Sequence, residues 1–170
     1  MVGRRFDLPQ RVALLRIVFG VIWLIDAGLK MNHVFVNDFK ADFTEGAAGQ
    51  PGWLHWWFHF WTRVIDTSPA TFAYITIVLE TLIGLALVFG FARRAAYLLG
   101  FVFSFAIWTL PEGFGGPYSM SSTDINQGII YALVFAALYG LDSVSTVRPA
   151  WTVDEKLERR FPRWRPIAEP

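Results

Sequence analysis

The 170-residue chain has no cysteine, and that absence excludes disulfides, thiolate metal sites, CxxC redox chemistry and iron–sulfur ligation together. A redox role would rest instead on a bound cofactor or a partner's thiols. Charge is sparse too: Asp, Glu, Lys and Arg make up 17% of the chain, against about 25% in a soluble domain. A net charge of +1 leaves no electrostatic footprint for nucleic acid. Nothing repeats at a fixed period. The Arg4–Arg5 pair leads into a long apolar segment with no small-residue cleavage site, so a cleavable signal is not expected. What is abundant is apolar surface, 54% hydrophobic residues and a mean hydropathy of +0.39. This is the composition of an integral membrane protein.

A helix needs about 20 residues to cross the hydrocarbon layer. Four segments qualify, Val12–Leu29, Ala70–Phe91, Ala95–Leu110 and Ile125–Leu141. The third is short, but Tyr97 and Trp108 stand where interfacial aromatics belong. Twelve of the fifteen basic residues fall in the N-terminal arm through Arg16, the Arg93–Arg94 turn and the tail from Arg148. The positive-inside rule then puts both termini in the cytoplasm of a multi-pass protein of the cell inner (cytoplasmic) membrane. The predicted fold class is an all-α, four-transmembrane-helix bundle with an interfacial amphipathic helix in its first outer loop. Residues 1–142 form the membrane domain and 143–170 a cytoplasmic tail, with one short helix over Val153–Phe161.

The first outer loop, Met31 to Ser68, concentrates tryptophan between Trp53 and Trp61. At 100° per residue, His55, His59, Thr62, Arg63 and Asp66 share one face of residues 52–67, and apolar residues cover the rest. That pattern predicts a helix lying in the outer interface. His55 and His59 have the i, i+4 spacing of a helical metal-ligand pair. They lack a third ligand at known proximity, so no metal site is assigned to them.

Ionisable groups inside a span are functional candidates by default. Glu80 sits near mid-bilayer, with Thr76 and Gly84 one turn away on either side. Helix one offers a matching stripe of Arg16, Gly20, Trp23, Ala27 and Lys30, and Asp26 is placed to pair with Lys30. Counting depth along the helices predicts a contact between Arg16 and Glu80, which serves either a functional site or a structural ion pair. In the last span Asp124, Gln127, Gly128 and Tyr131 share a face, with Thr123–Asp124 as the helix cap. Any ligand site is expected at the outer end of the bundle. There the free N–H groups of the last span favour an anion or a quinone oxygen.

Three runs carry a family resemblance. They are Arg16, Gly20, Gly28 and Lys30; Glu80, Gly84, Gly90 and Arg93; and Pro111 to Ser119 followed by Thr123 to Tyr131. Over roughly residues 10–142 the chain resembles the DoxX/DoxD superfamily of small four-span membrane proteins. It looks closest to the DoxD branch, the small subunit of thiosulfate:quinone oxidoreductase. The resemblance implies a membrane subunit of a quinone-linked oxidoreductase in a respiratory chain, with a second redox subunit and the lipid bilayer as partners. Quinone is the implied cofactor. Glu80, Arg16, Lys30, Glu112 and Asp124 are the candidate catalytic residues, and Trp23, Trp108, Tyr118, Gln127 and Tyr131 the candidate quinone contacts. A non-catalytic accessory or assembly subunit, docking through its tryptophan face, is the alternative. A solute transporter fits worse, because no span is broken at mid-membrane.

Overall fold

The computed structural model describes residues 7–118, 124–145 and 147–169, which are helical with no strand among them. Eight α-helices follow in order: α1 Leu8–Lys30, α2 His33–Ala47, α3 His55–Asp66, α4 Pro69–Phe89, α5 Arg93–Thr109, α6 Gln127–Val144, α7 Asp154–Arg160 and α8 Arg165–Ala168. Three of them, α1, α4 and α6, are long and apolar enough to cross a membrane. At 17 residues α5 is shorter, about 26 Å of helix. The large apolar side chains exposed along these helices, among them Val18, Ile25, Leu82 and Leu133, are those of a surface bathed in lipid.

Two antiparallel pairs build the bundle, α1 on α4 and α5 on α6. Small residues let each pair approach closely. A Cβ at Gly20 would stand 2.8 Å from Leu87 Cβ and 2.9 Å from the Val88 nitrogen, and one at Gly84 2.9 Å from the Leu24 side chain. At the other pair a Cβ on Gly100 would collide with the Phe135 ring. Phe19, Trp23, Ile83, Leu87, Tyr97, Phe135 and Leu138 form the shared core. Phe19 and Trp23 meet Phe135 edge-on, at centroid distances of 4.9 and 5.3 Å, a preferred aromatic geometry.

The segment read from sequence as one long loop with one helix contains two. Helix α2 starts at Asn32, whose side-chain oxygen accepts from Phe35 N at 2.9 Å, a cap that satisfies an otherwise free helical N–H. Its apolar stripe of Phe35, Val36, Phe39 and Phe43 packs on Ile65, Phe72 and Ala73. Charged residues on the remaining faces interrupt that stripe along the chain, so no long apolar run marks it. Helix α3 lies within the 52–67 segment read as a helix. It buries Phe58 and Ile65 and exposes Trp56 and Phe60, and the turn just before it buries Leu54 and exposes Trp53.

The tail does not hang free of the bundle. Val153 N donates to Phe89 O at 3.0 Å and Asp154 N to Gly90 O at 3.2 Å, which seats the start of α7 on the α4–α5 turn. That turn needs Gly90, whose φ of +61° suits a residue without a Cβ. A side chain there would also strike Arg16.

A polar cleft at the Lys30 end of the bundle

Antiparallel packing of α1 on α4 fixes which charges meet. Gly20 faces Leu87 and Val88, Leu24 faces Gly84, and the guanidinium of Arg16 reaches Gly90. Continuing that register brings the end of α1 beside Glu80, and Lys30 Nζ lies 2.5 Å from Glu80 Oε1. The expected Arg16–Glu80 contact is therefore corrected: Glu80 pairs with Lys30. Arg16 sits ten α4 residues away, about 15 Å along the helix, and donates to Trp151 O at 2.8 Å. The expected Asp26–Lys30 pair is corrected as well. With Lys30 turned to Glu80, Asp26 Oδ2 accepts from Tyr131 OH at 3.2 Å.

The Lys30–Glu80 pair stands in the wall between two clefts. One, about 660 Å³, is the more polar of the two and lies where α1, α2, α4, α5 and α6 converge. It is lined by Trp23, Asp26, Lys30, Phe35, Asp38, Asp42, Glu80, Glu112, Gln127 and Tyr131, among others. The second, about 470 Å³, is mainly aromatic and aliphatic, with Phe39, Phe43, Ile65, Phe72, Ile75 and Phe103. Lys30, Phe35, Asp42, Glu80, Ile107 and Glu112 belong to both. Glu80 is 2% exposed, and its second oxygen, Oε2, has no hydrogen-bond partner.

Glu112 closes the start of α6. Its carboxylate accepts from Gly128 N at 2.9 and 3.2 Å, and its own carbonyl accepts from Asn126 Nδ2 at 3.2 Å. The close approach depends on Gly128, where a Cβ would stand 2.9 Å from Glu112 Oε2. Burial pushes the Glu112 carboxyl above the usual carboxylate range, against the opposing pull of the Gly128 and Gln127 N–H groups. The anion expected at this helix start is thus the chain's own carboxylate. Asp124, expected to cap the helix, instead bonds Asn126 N at 2.9 Å just before it. Its expected companion Thr123 lies outside the described residues.

The remaining expected site residues fall elsewhere. Trp108 Nε1 donates to Ile125 O at 3.0 Å and Tyr118 OH to Phe114 O at 2.8 Å, so both brace the loop between α5 and α6. His55 Nε2 lies 3.1 Å from Gln50 O, His59 is exposed, and no metal-holding group of three His, Cys, Asp or Glu occurs among the described residues. Sequence reasoning passed over Asp38 and Asp42. The signal for them was their i+3 and i+7 spacing from Phe35 on a helix that was not recognised.

A second charged cluster holds the opposite end. Arg93 Nη1 lies 2.6 Å from Asp142 Oδ2, Arg93 Nε 3.2 Å from Asp154 Oδ2, and Tyr97 OH donates to Asp142 at 3.1 Å. Asp154, fully buried, also accepts from Ala92 N, Arg93 N and Trp164 Nε1 at 2.7 to 3.0 Å. Both oxygens of Asp154 thus have donors, which is what a charge removed from water requires.

Apolar spans, close helix pairs and a charged cleft at one end define a multi-pass helical membrane protein. The DoxX family model matches residues 12–112, more than half of the chain, and the protein belongs to that family. The matched region runs from α1 through Glu112, so it includes Lys30, Glu80 and Glu112 and leaves out Gln127 and Tyr131. No curated protein and no solved structure matches the chain.

Proposed function

We propose that the protein is the membrane subunit of a quinone-linked oxidoreductase, of the kind that thiosulfate:quinone oxidoreductase exemplifies, working with a second redox subunit in the inner membrane. In this reading α5 is the fourth span, both termini are cytoplasmic, and the Lys30 end faces outward with α3 lying in the interface. The observation that carries it is the Lys30–Glu80 pair, set in the wall between an apolar cleft and a polar one. A quinone site needs an apolar slot, a donor at a carbonyl oxygen and a carboxyl that exchanges protons with water. Phe39, Phe43, Phe72 and Phe103 offer the slot, Lys30 the donor, and Glu80 with its unpartnered oxygen the proton-exchanging group. Glu80 itself lines the polar cleft, as does Glu112.

Among the described residues, carboxylates outnumber the one lysine lining the polar cleft, so thiosulfate oxidation is assigned to the partner subunit and quinone reduction to this chain. The test is purification of the tagged chain from its native membrane, followed by extraction and quantitation of quinone. Quinone should co-purify with the wild type and fall by about tenfold in Lys30→Met, the equivalent of about 1.4 kcal/mol. A wild-type preparation free of quinone would overturn the proposal. It would favour the accessory-subunit reading, whose support is the exposed face of Trp53, Trp56 and Phe60.

A further inference from the structure

At the end of the bundle where the tail docks, a groove of about 570 Å³ runs along the seam between α4 and α5. Leu82, Ala86 and Phe89 of α4 and Ala95 and Leu99 of α5 line it, together with Val153 of the tail. The alanines leave room that larger side chains would fill. Leu82, Phe89 and Leu99 are exposed, so in a bilayer the groove opens onto lipid rather than water. From Leu82 to Phe89 it follows about 10 Å of helix, most of the acyl depth of one leaflet, which is half of a core about 30 Å thick.

The charge of the tail narrows the occupant. Asp154 pins the start of α7 to the α4–α5 turn, and Lys156 and Arg160, three and seven residues after Val153, share its face of that helix. Arg163 adjoins Trp164, whose ring meets Phe91, another residue of the groove, at 5.0 Å. All three cations are exposed, and none makes an ion pair among the described residues. The acidic residues of the tail do not cancel them. Asp154, Glu155 and Glu169 are already bonded to arginines, which leaves Glu158. Phe161 is exposed, with the Arg160 guanidinium carbon 5.7 Å from its ring, a combination that anchors segments at a membrane interface. Basic surfaces at the ends of membrane helices attract anionic headgroups. We infer that groove and tail form one binding site for an anionic phospholipid, an acyl chain lying between α4 and α5 and the phosphate meeting Lys156, Arg160 and Arg163. A choline headgroup is disfavoured, because its own cation would face the same three charges. The site stands apart from the quinone reading, whose clefts lie at the Lys30 end.

The test is native mass spectrometry of the full chain in detergent, titrated with phosphatidylglycerol and phosphatidylcholine of identical acyl chains. The first phosphatidylglycerol should bind about tenfold more tightly than the first phosphatidylcholine. The Lys156→Gln/Arg160→Gln/Arg163→Gln variant, altered only at exposed positions, should erase that preference and leave phosphatidylcholine unchanged. Ala95→Leu, at an exposed position in the groove, should weaken both lipids. Excess inorganic phosphate should displace neither, because it has no chain to occupy the groove. Equal binding of the two lipids by the wild type, a preference that survives the triple variant, unchanged binding in Ala95→Leu, or displacement by phosphate would each overturn the inference. So would a wild-type dimer that Ala95→Leu dissociates, which would make a second copy of this chain the occupant of the groove.

Discussion

At Lys30 a side chain 29% exposed meets a Glu80 side chain 2% exposed. Such an unequal pair has an unequal response to mutation. Removing the lysine leaves an uncompensated carboxylate in the bundle, whereas removing both charges leaves neither. Lys30→Met should destabilise by about 3–5 kcal/mol, and the Lys30→Met/Glu80→Leu double variant should recover much of that loss. Thermal unfolding in detergent measures both, and a double variant no more stable than the single would contradict the pairing. Glu112 yields a pH dependence. Its carboxyl titrates above the ordinary range, so between the ordinary and the raised value the folded chain binds more protons than the unfolded one. Its contribution to stability is therefore present at acid pH and is lost as pH rises through that window. Glu112→Gln should flatten this part of the stability profile while keeping one acceptor for Gly128 N, and Glu112→Ala should cost about 1 kcal/mol more through loss of the helix cap. Unfolding midpoints followed upward in pH from the ordinary carboxylate range would show the difference. Candidate residues such as Lys30, Glu80 and Glu112 were legible because charge in an apolar chain stands out. Their partners were not, since partner choice depends on an antiparallel register that composition does not encode.

The helix pairs explain where that register comes from. Gly20 and Gly28 both belong to the small-residue pattern of α1, but they do different things. A Cβ at Gly20 meets α4 backbone and side chain within 3 Å, and one at Gly28 meets nothing within 4 Å. Gly20→Ala should cost about 1–3 kcal/mol by overpacking. Gly28→Ala should be neutral or stabilising by up to about 1 kcal/mol, since alanine is the better helix former. A comparison of the two by thermal unfolding checks the α1–α4 register directly. The long apolar segments around α1, α4, α5 and α6 were readable because a run of apolar residues needs no partner to be recognised. Helix α2 was not. Its aromatic stripe makes sense only once Ile65, Phe72 and Ala73 are there to receive it.

Across the whole molecule, the two ends are built differently. The Lys30 end holds the carboxylate-lined cleft, while the opposite end is tied together by Arg93, Asp142, Tyr97 and the buried Asp154 of the tail. Asp154→Ala should free residues from about 147 onward and destabilise the fold by about 3 kcal/mol, because Arg93 keeps Asp142 but loses its second carboxylate. Limited proteolysis should then release the tail from the variant and leave the wild type intact. From the sequence the tail reads as a charged appendage, because nothing in its composition announces that Asp154 is buried. The bond from Arg16 to Trp151 spans 135 positions of the chain, and it imposes an order on biosynthesis. Arg16 is made 135 residues before the carbonyl that receives its guanidinium. Until Trp151 has been made, that arginine must be held by water or by the insertion machinery. A chain that stops short of Trp151 therefore leaves a bundle with a buried arginine lacking its carbonyl acceptor.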